Sequence, residues 1–150
     1  MYIARDKDGG LFLFKEHPWR QQVDNMWLDA PYYLDYKYEG NGCLDQLNPD
    51  LFKDLTWDNE PIEVIQVKDI VKVIGRGYVI VAEPGDVDVR VDDLIKVRDE
   101  DTWQTFSVRG IESVSWMKTI GIVTLRSEDL NKMCKVGDYV EVINCHDRTV

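Results

Sequence analysis

Residues 75–97 read GRGYVIVAEPGDVDVRVDDLIKV, and the reading of the two leading glycines decides the fold. A dinucleotide fingerprint needs G-x-G-x-x-G between a strand and a helix, so that the helix N-terminus faces a phosphate. Gly75-Arg76-Gly77 lacks the third glycine, and Tyr78-Val79-Ile80-Val81 behind it is a strand former. The other phosphate cradle, GxxxxGK followed by Ser or Thr, occurs nowhere in the chain. The pair is therefore predicted to bend a sheet, where glycine relieves the clash at a bulge or a barrel corner.

The β pattern extends outward from that stretch. Apolar alternation punctuated by turn residues predicts strands at 70–74, 78–82, 87–89, 94–98, 105–112, 120–125 and 139–143, at the short spacing of barrels and sandwiches. Residues 127–133 read as a turn or two of helix capped by Ser127. Toward the N-terminus, Tyr2-Ile3-Ala4 and Leu11-Phe12-Leu13-Phe14-Lys15 flank an Asp/Gly cluster, the pattern of a hairpin. His17-Pro18 ends its second strand, because proline cannot donate to a ladder. Trp27-Leu28 and residues 32–38 and 62–67 are further strands, and Asn48-Pro49-Asp50 reads as the cap and first turn of a short helix. No repeat is visible.

Composition changes near Val67. Residues 1–67 carry a net charge of −7 and 11 of the 16 aromatic side chains, whereas residues 68–150 carry −3. Two all-β domains are expected: a small acidic, aromatic-rich one at 1–67 and a six-stranded antiparallel Greek-key barrel at 68–150. A hydrophobic content of 44% with 31% charged residues describes a globular chain. Its net charge of −10 opposes nucleic-acid binding by bulk electrostatics, leaving only a local basic patch for that role. No apolar run reaches the roughly 20 residues of a membrane helix, so no membrane partner is expected. MYIARDKDGG has no signal-peptide core. With three scattered cysteines, this points to a cytoplasmic location. Cys134, Cys145 and His146 lack the CxxC pairing of a zinc site, so no metal is expected.

Residues 68–144 resemble the β-barrel second domain of translational GTPases such as elongation factor Tu. Gly75-Arg76-Gly77-x-Val79 resembles that family's GRG-x-V, and Val91-x-Asp93-x-Ile95-x-Val97 resembles its V-G-D-x-V-x-I. Val108-x-Gly110-Ile111-Glu112, Gly121-Ile122-Val123-x-Leu125-Arg126 and Val136-Gly137-Asp138-x-Val140 follow in the family's order. Ala82 and Asp92 stand where the family has glycine, and the segment between Glu112 and Gly121 is shorter. The resemblance implies a barrel surface for protein or RNA contact, since family members use theirs on the ribosome and tRNA. No GTPase motif accompanies it here, so neither GTP nor another cofactor is expected. The opening MYIARDKDGGLFLFKEHPWR, with LTWDNEPIEV further on, is similar to the start of small phage and gut-bacterial proteins.

Catalytic constellations are thin. His17 and His146 are the only histidines, and sequence adjacency of Cys145 and His146 does not make a dyad. Asp92-Asp93 and Asp99-Glu100-Asp101 fit solvated turns, and Asp6-Lys7-Asp8-Gly9 is a calcium-loop fragment without the closing glutamate. A non-catalytic interaction module, of phage or mobile-element origin, is the leading expectation. It would bind protein through Trp27, Tyr33, Tyr36 and Trp57, where aromatic faces among carboxylates suit a basic partner. The alternative is an RNA- or ribosome-binding accessory protein using Arg76, Arg109 and Arg126 on the barrel. Two further readings are a small-ligand binder or enzyme with an interdomain pocket, and a nucleic-acid mimic whose carboxylates replace phosphates.

Overall fold

The computed structural model describes residues 1–29, 41–75, 77–82, 89–99, 102–114, 119–124 and 134–144. The expected strand at 32–38 and helix at 127–133 lie outside them. All elements among the described residues are β, and no helix there is long and apolar enough to cross a membrane. The chain divides into two units, Met1–Glu63 and Val64–Val150, ahead of the compositional change at Val67.

In the first unit, β1 (Tyr2–Arg5) and β2 (Leu11–Phe14) form the expected hairpin, with Tyr2 opposite Phe14 and Arg5 opposite Leu11. Gly9 takes φ 97 in its turn, a conformation open to glycine at no steric cost. β3 (Trp19–Gln21) and β4 (Met26–Leu28) pair as a separate hairpin, and β5 (Asp45–Leu47) pairs with β2. The short helix expected at Asn48 does not form. Asn48 does cap, its side chain accepting from Asp50 N at 3.0 Å, but Phe52 takes φ 50 and turns the chain back. The carbonyls so freed are collected by Arg5. Its guanidinium donates to Leu55 O (2.6 Å), Gly9 O (2.7 Å), Pro49 O (3.0 Å), Leu51 O (2.7 Å) and Phe52 O (3.1 Å). One cation thereby satisfies a loop that has no ladder of its own.

In the second unit a barrel closes from β6 (Ile62–Val73), β7 (Gly77–Ala82), β8 (Leu94–Asp99), β9 (Thr102–Val114), β10 (Thr119–Thr124) and β11 (Tyr139–Ile143). The strands follow β6-β7-β10-β9-β8-β11 and return to β6, antiparallel throughout. Three successive strands, β8 to β10, are neighbours, and β7 lies beside the last of them, which is a Greek key. Ile95 and Val97, Phe106 and Val108, and Val140 and Val142 alternate inward onto a core shared with Ile65, Ile80 and Ile122. Two strands expected at 62–67 and 70–74 are one continuous β6, and the predicted strand at 87–89 reduces among described residues to Val89, which is not in a strand. Gly75 (φ 83) sits in the β6–β7 hairpin, where Val73 pairs with Gly77, so the glycines make a strand reversal and no helix follows them.

The barrel is built twice over. Register passes from Val67↔Ala82 to Asp69↔Val81 in one half and from Val108↔Thr124 to Gly110↔Val123 in the other, leaving Lys68 and Arg109 as equivalent bulged residues. Beside each bulge a turn is pinned. Gly137 N donates to Val67 O and Val67 N to Asp138 O, both at 2.8 Å; Asp92 N donates to Val108 O at 2.9 Å and Val108 N to Asp93 O at 2.8 Å. Within the turns, Arg90 N donates to Asp93 Oδ2 and Lys135 N to Asp138 Oδ2, each at 2.9 Å. The cross-strand pairs match as well, Ile95 with Phe106 and Val140 with Ile65. Bulges raise local twist and coil a strand, and placing one in each half lets six strands close.

Candidate interaction surface

Trp27 and Trp57, two of the side chains expected to meet a partner, are turned to internal use. Trp27 is only 2% exposed. Its backbone N donates to Asp6 Oδ1 at 2.8 Å and its indole Nε1 to Arg5 O at 3.0 Å. Trp57, half-buried, meets it edge-on with ring centroids 5.7 Å apart. Arg20, paired across the hairpin with Trp27, lays its guanidinium carbon 4.7 Å from the Trp27 ring and 5.2 Å from that of Trp57. It also donates to Trp57 O at 3.0 Å. The aromatic pair thus already holds a cation from its own chain, and Trp27 is part of the buried core. Tyr33 and Tyr36 lie outside the described residues.

On the barrel the solvent face of β9 carries Trp103, Thr105, Ser107 and Arg109, while Phe106 and Val108 point inward. Trp103 is 56% exposed, and Lys96 Nζ from β8 stands 4.3 Å from its ring centroid. Arg98, opposite Trp103 in the β8–β9 register, reaches Glu141 of β11 with Nη1 2.7 Å from Oε2, an association held by charge without good hydrogen-bond alignment. Arg109 is exposed at the bulge, roughly 20 Å along the strand from Trp103 at about 3.3 Å per residue. Arg76 and Arg126 lie outside the described residues, so Arg109 is the member of the expected arginine set that is placed. Trp103 lies apart from the aromatic-dense stretch before Lys68, which holds 11 of the 16 aromatic side chains. The alternation of Trp103-Gln104-Thr105-Phe106-Ser107-Val108 carried the signal, setting the tryptophan on the polar face.

Cys134 is 1% exposed, and burial pushes its thiol up to about 12, which keeps it protonated and poorly nucleophilic. Burial, then the nearby carboxylates Asp45, Asp6 and Asp29, raise Cys43 above its ordinary value. His17 is engaged through Nδ1 with Pro18 O at 2.7 Å and rests edge-on against Tyr2. An open cleft of about 360 Å³ in the first unit is lined by Asp6, Lys7, Asp8, Asp24, Asn25 and Met26. Among the described residues no group of three or more His, Cys, Asp or Glu is arranged to hold a metal ion. No family model, no curated protein and no solved structure matches the chain.

Proposed function

We propose that this chain is a non-catalytic interaction module whose partner is a protein, contacted at Trp103 on the barrel's outer face. The observation that carries the reading is a half-exposed tryptophan whose ring is already packed by Lys96 at 4.3 Å on a closed barrel. Large aromatics supply much of the energy at interfaces because they bury wide area for two torsions, and a ring steadied beforehand loses less freedom on binding. Closure also removes sheet edges, so recognition falls to side chains on the cylinder wall.

A second reading, an RNA or ribosomal partner, rests on the same pair, since a tryptophan beside a lysine is also a stacking platform next to a cation. The closed six-stranded barrel is compatible with the translation-factor resemblance and lends that reading support. The chain's net charge of −10 weighs toward protein.

The test is quantitative affinity capture from host lysate with wild-type and Trp103→Ala chains, alongside poly(U) binding at two salt concentrations. Proteins retained by the wild type and lost at least tenfold by the variant support the proposal. An unchanged retained set overturns it, and poly(U) binding that is lost with Trp103→Ala and weakens steeply with salt favours the second reading.

A further inference from the structure

We propose that Asp6 is a proton-responsive latch that sets how firmly the β3–β4 hairpin is held against β1. Asp6 is 6% exposed at the end of the β1 strand. Three bonds join this corner to the hairpin: Asp6 Oδ1 accepts from Trp27 N at 2.8 Å, Arg5 O accepts from Trp27 Nε1 at 3.0 Å, and Lys7 N donates to Asn25 O at 3.2 Å. Of these, only the bond to the Asp6 carboxylate involves a group that changes charge.

The surroundings penalise that charge. The cleft beside Asp6 is lined by Asp8 from the β1–β2 turn and Asp24 from the β3–β4 turn, with Lys7 as its single cation. Cys43 is close enough to feel Asp6, and it feels Asp29 and Asp45 as well. Arg5 turns its guanidinium away, to the carbonyls of residues 49–55 and Gly9. Arg20 is stacked on Trp27 and Trp57. Burial is the largest influence on Asp6; Asp8 adds to it, the Trp27 N–H opposes it, and the carboxyl is raised from 3.8 to about 6.

The sign follows from linkage. A carboxyl that binds its proton more tightly when docked than when released stabilises the docked hairpin fully at low pH. That contribution is lost as pH rises through about 6. With 3.8 for the released group, the opening constant of the hairpin should grow about tenfold between pH 5 and pH 7.5. The hairpin also carries Trp19 at its open end and Val23 in its turn, 55% and 87% exposed, so the latch governs the steadiness of two exposed apolar side chains. This inference is independent of any role for Trp103.

The experiment uses the whole chain. Amide protection factors at Trp27 N, which are free of the intrinsic pH dependence of exchange, are measured from pH 5 to 7.5, and the Asp6 carboxyl carbon is titrated by NMR. The expected results are a midpoint near 6 and a roughly tenfold fall in protection. Asp6→Asn should hold wild-type low-pH protection across the range, and Asp8→Asn should lower the Asp6 midpoint. An Asp6 midpoint below 4.5 in the folded wild type overturns the latch even where a variant fails to fold. So does an Asp6→Asn chain that keeps the pH dependence.

Discussion

The two pinned turns of the barrel make the same side-chain-to-amide bond at different depths of burial. Asp93 and Asp138 make the same bond, carboxylate to the amide three residues earlier, at the same 2.9 Å. Asp93 is 1% exposed, whereas Asp138 and its donor Lys135 are exposed. Replacing Asp93 with Ala removes a hydrogen bond to a charged group and leaves a partly buried amide short of its partner, a loss of about 2–3 kcal/mol. At Asp138 water takes over the freed amide, and the same substitution should cost less than about 1 kcal/mol. For a unit of this size 1 kcal/mol moves the melting temperature by about 4–8 °C, so the two variants separate clearly in a thermal melt. Native-state exchange at Val108 and Val67, whose amides donate to the carbonyls of Asp93 and Asp138, assigns each loss to its own turn. The third turn position adds a control, since Asp92 has φ 76 and Gly137 φ 95. A Cβ at Gly137 meets nothing within 4 Å, so Gly137→Ala costs only the left-handed penalty of about 1–2 kcal/mol. Asp92→Gly should be neutral or slightly stabilising, because relief of that strain offsets the added freedom of glycine when unfolded. Equal losses for Asp93→Ala and Asp138→Ala would refute the argument from burial, and an Asp92→Gly as harmful as Gly137→Ala would refute the equivalence of the turns.

Two further substitutions probe the first unit. Arg5→Lys keeps the charge but replaces a planar fork of five donors with a three-donor point, leaving carbonyls of residues 49–55 unmet. It should cost about 2–4 kcal/mol in urea unfolding and strip exchange protection from that loop first. Arg20→Ala removes two ring contacts and the bond to Trp57 O, a loss of about 2 kcal/mol by the same assay, and Arg20→Lys should recover less than half of it.

Much of the strand pattern could be read in the sequence, because a half-buried strand advertises itself by alternation. Leu94–Asp99 and Tyr139–Ile143 fall within a residue of where apolar periodicity put them. β6 was harder for a physical reason. The bulge at Lys68 interrupts the two-residue period, so Ile62-Glu63-Val64-Ile65-Gln66-Val67 and Ile70–Ile74 look like separate strands when read by side chain alone. At Asn48-Pro49-Asp50 the capping chemistry was legible and the outcome was not. Helix or reversal there is settled by whether something distant takes the carbonyls, and Arg5 does so from more than forty positions away. Trp27 shows the same limit. Met26 and Leu28 beside it mark a strand without saying which face is buried, and Arg5, Arg20, Asp6 and Trp57 converge on it from three other segments and draw it inside.

The equivalence of the two halves is not legible in the sequence because it resides in backbone positions. The halves share few identities: Val67 and Ile70 match Val108 and Ile111, and Val91-Asp92-Asp93 matches Val136-Gly137-Asp138. What is common is a valine before each bulge, a cation on it, a left-handed residue in each turn and an aspartate after that residue. Each of those requirements is local and weak, and together they fix where β8 and β11 begin and so the register of the whole cylinder. The outer wall is under no such requirement. Lys96 lies opposite Glu141 at the centre of the repeat, and Arg98, outside the repeat's demands, pairs with that glutamate while standing opposite Trp103. Trp103 has no aromatic counterpart in the other half, where Ile62 holds the matching place. A tryptophan that the shared backbone features do not ask for, half-exposed on the outer wall, is the reason the proposed contact is placed there.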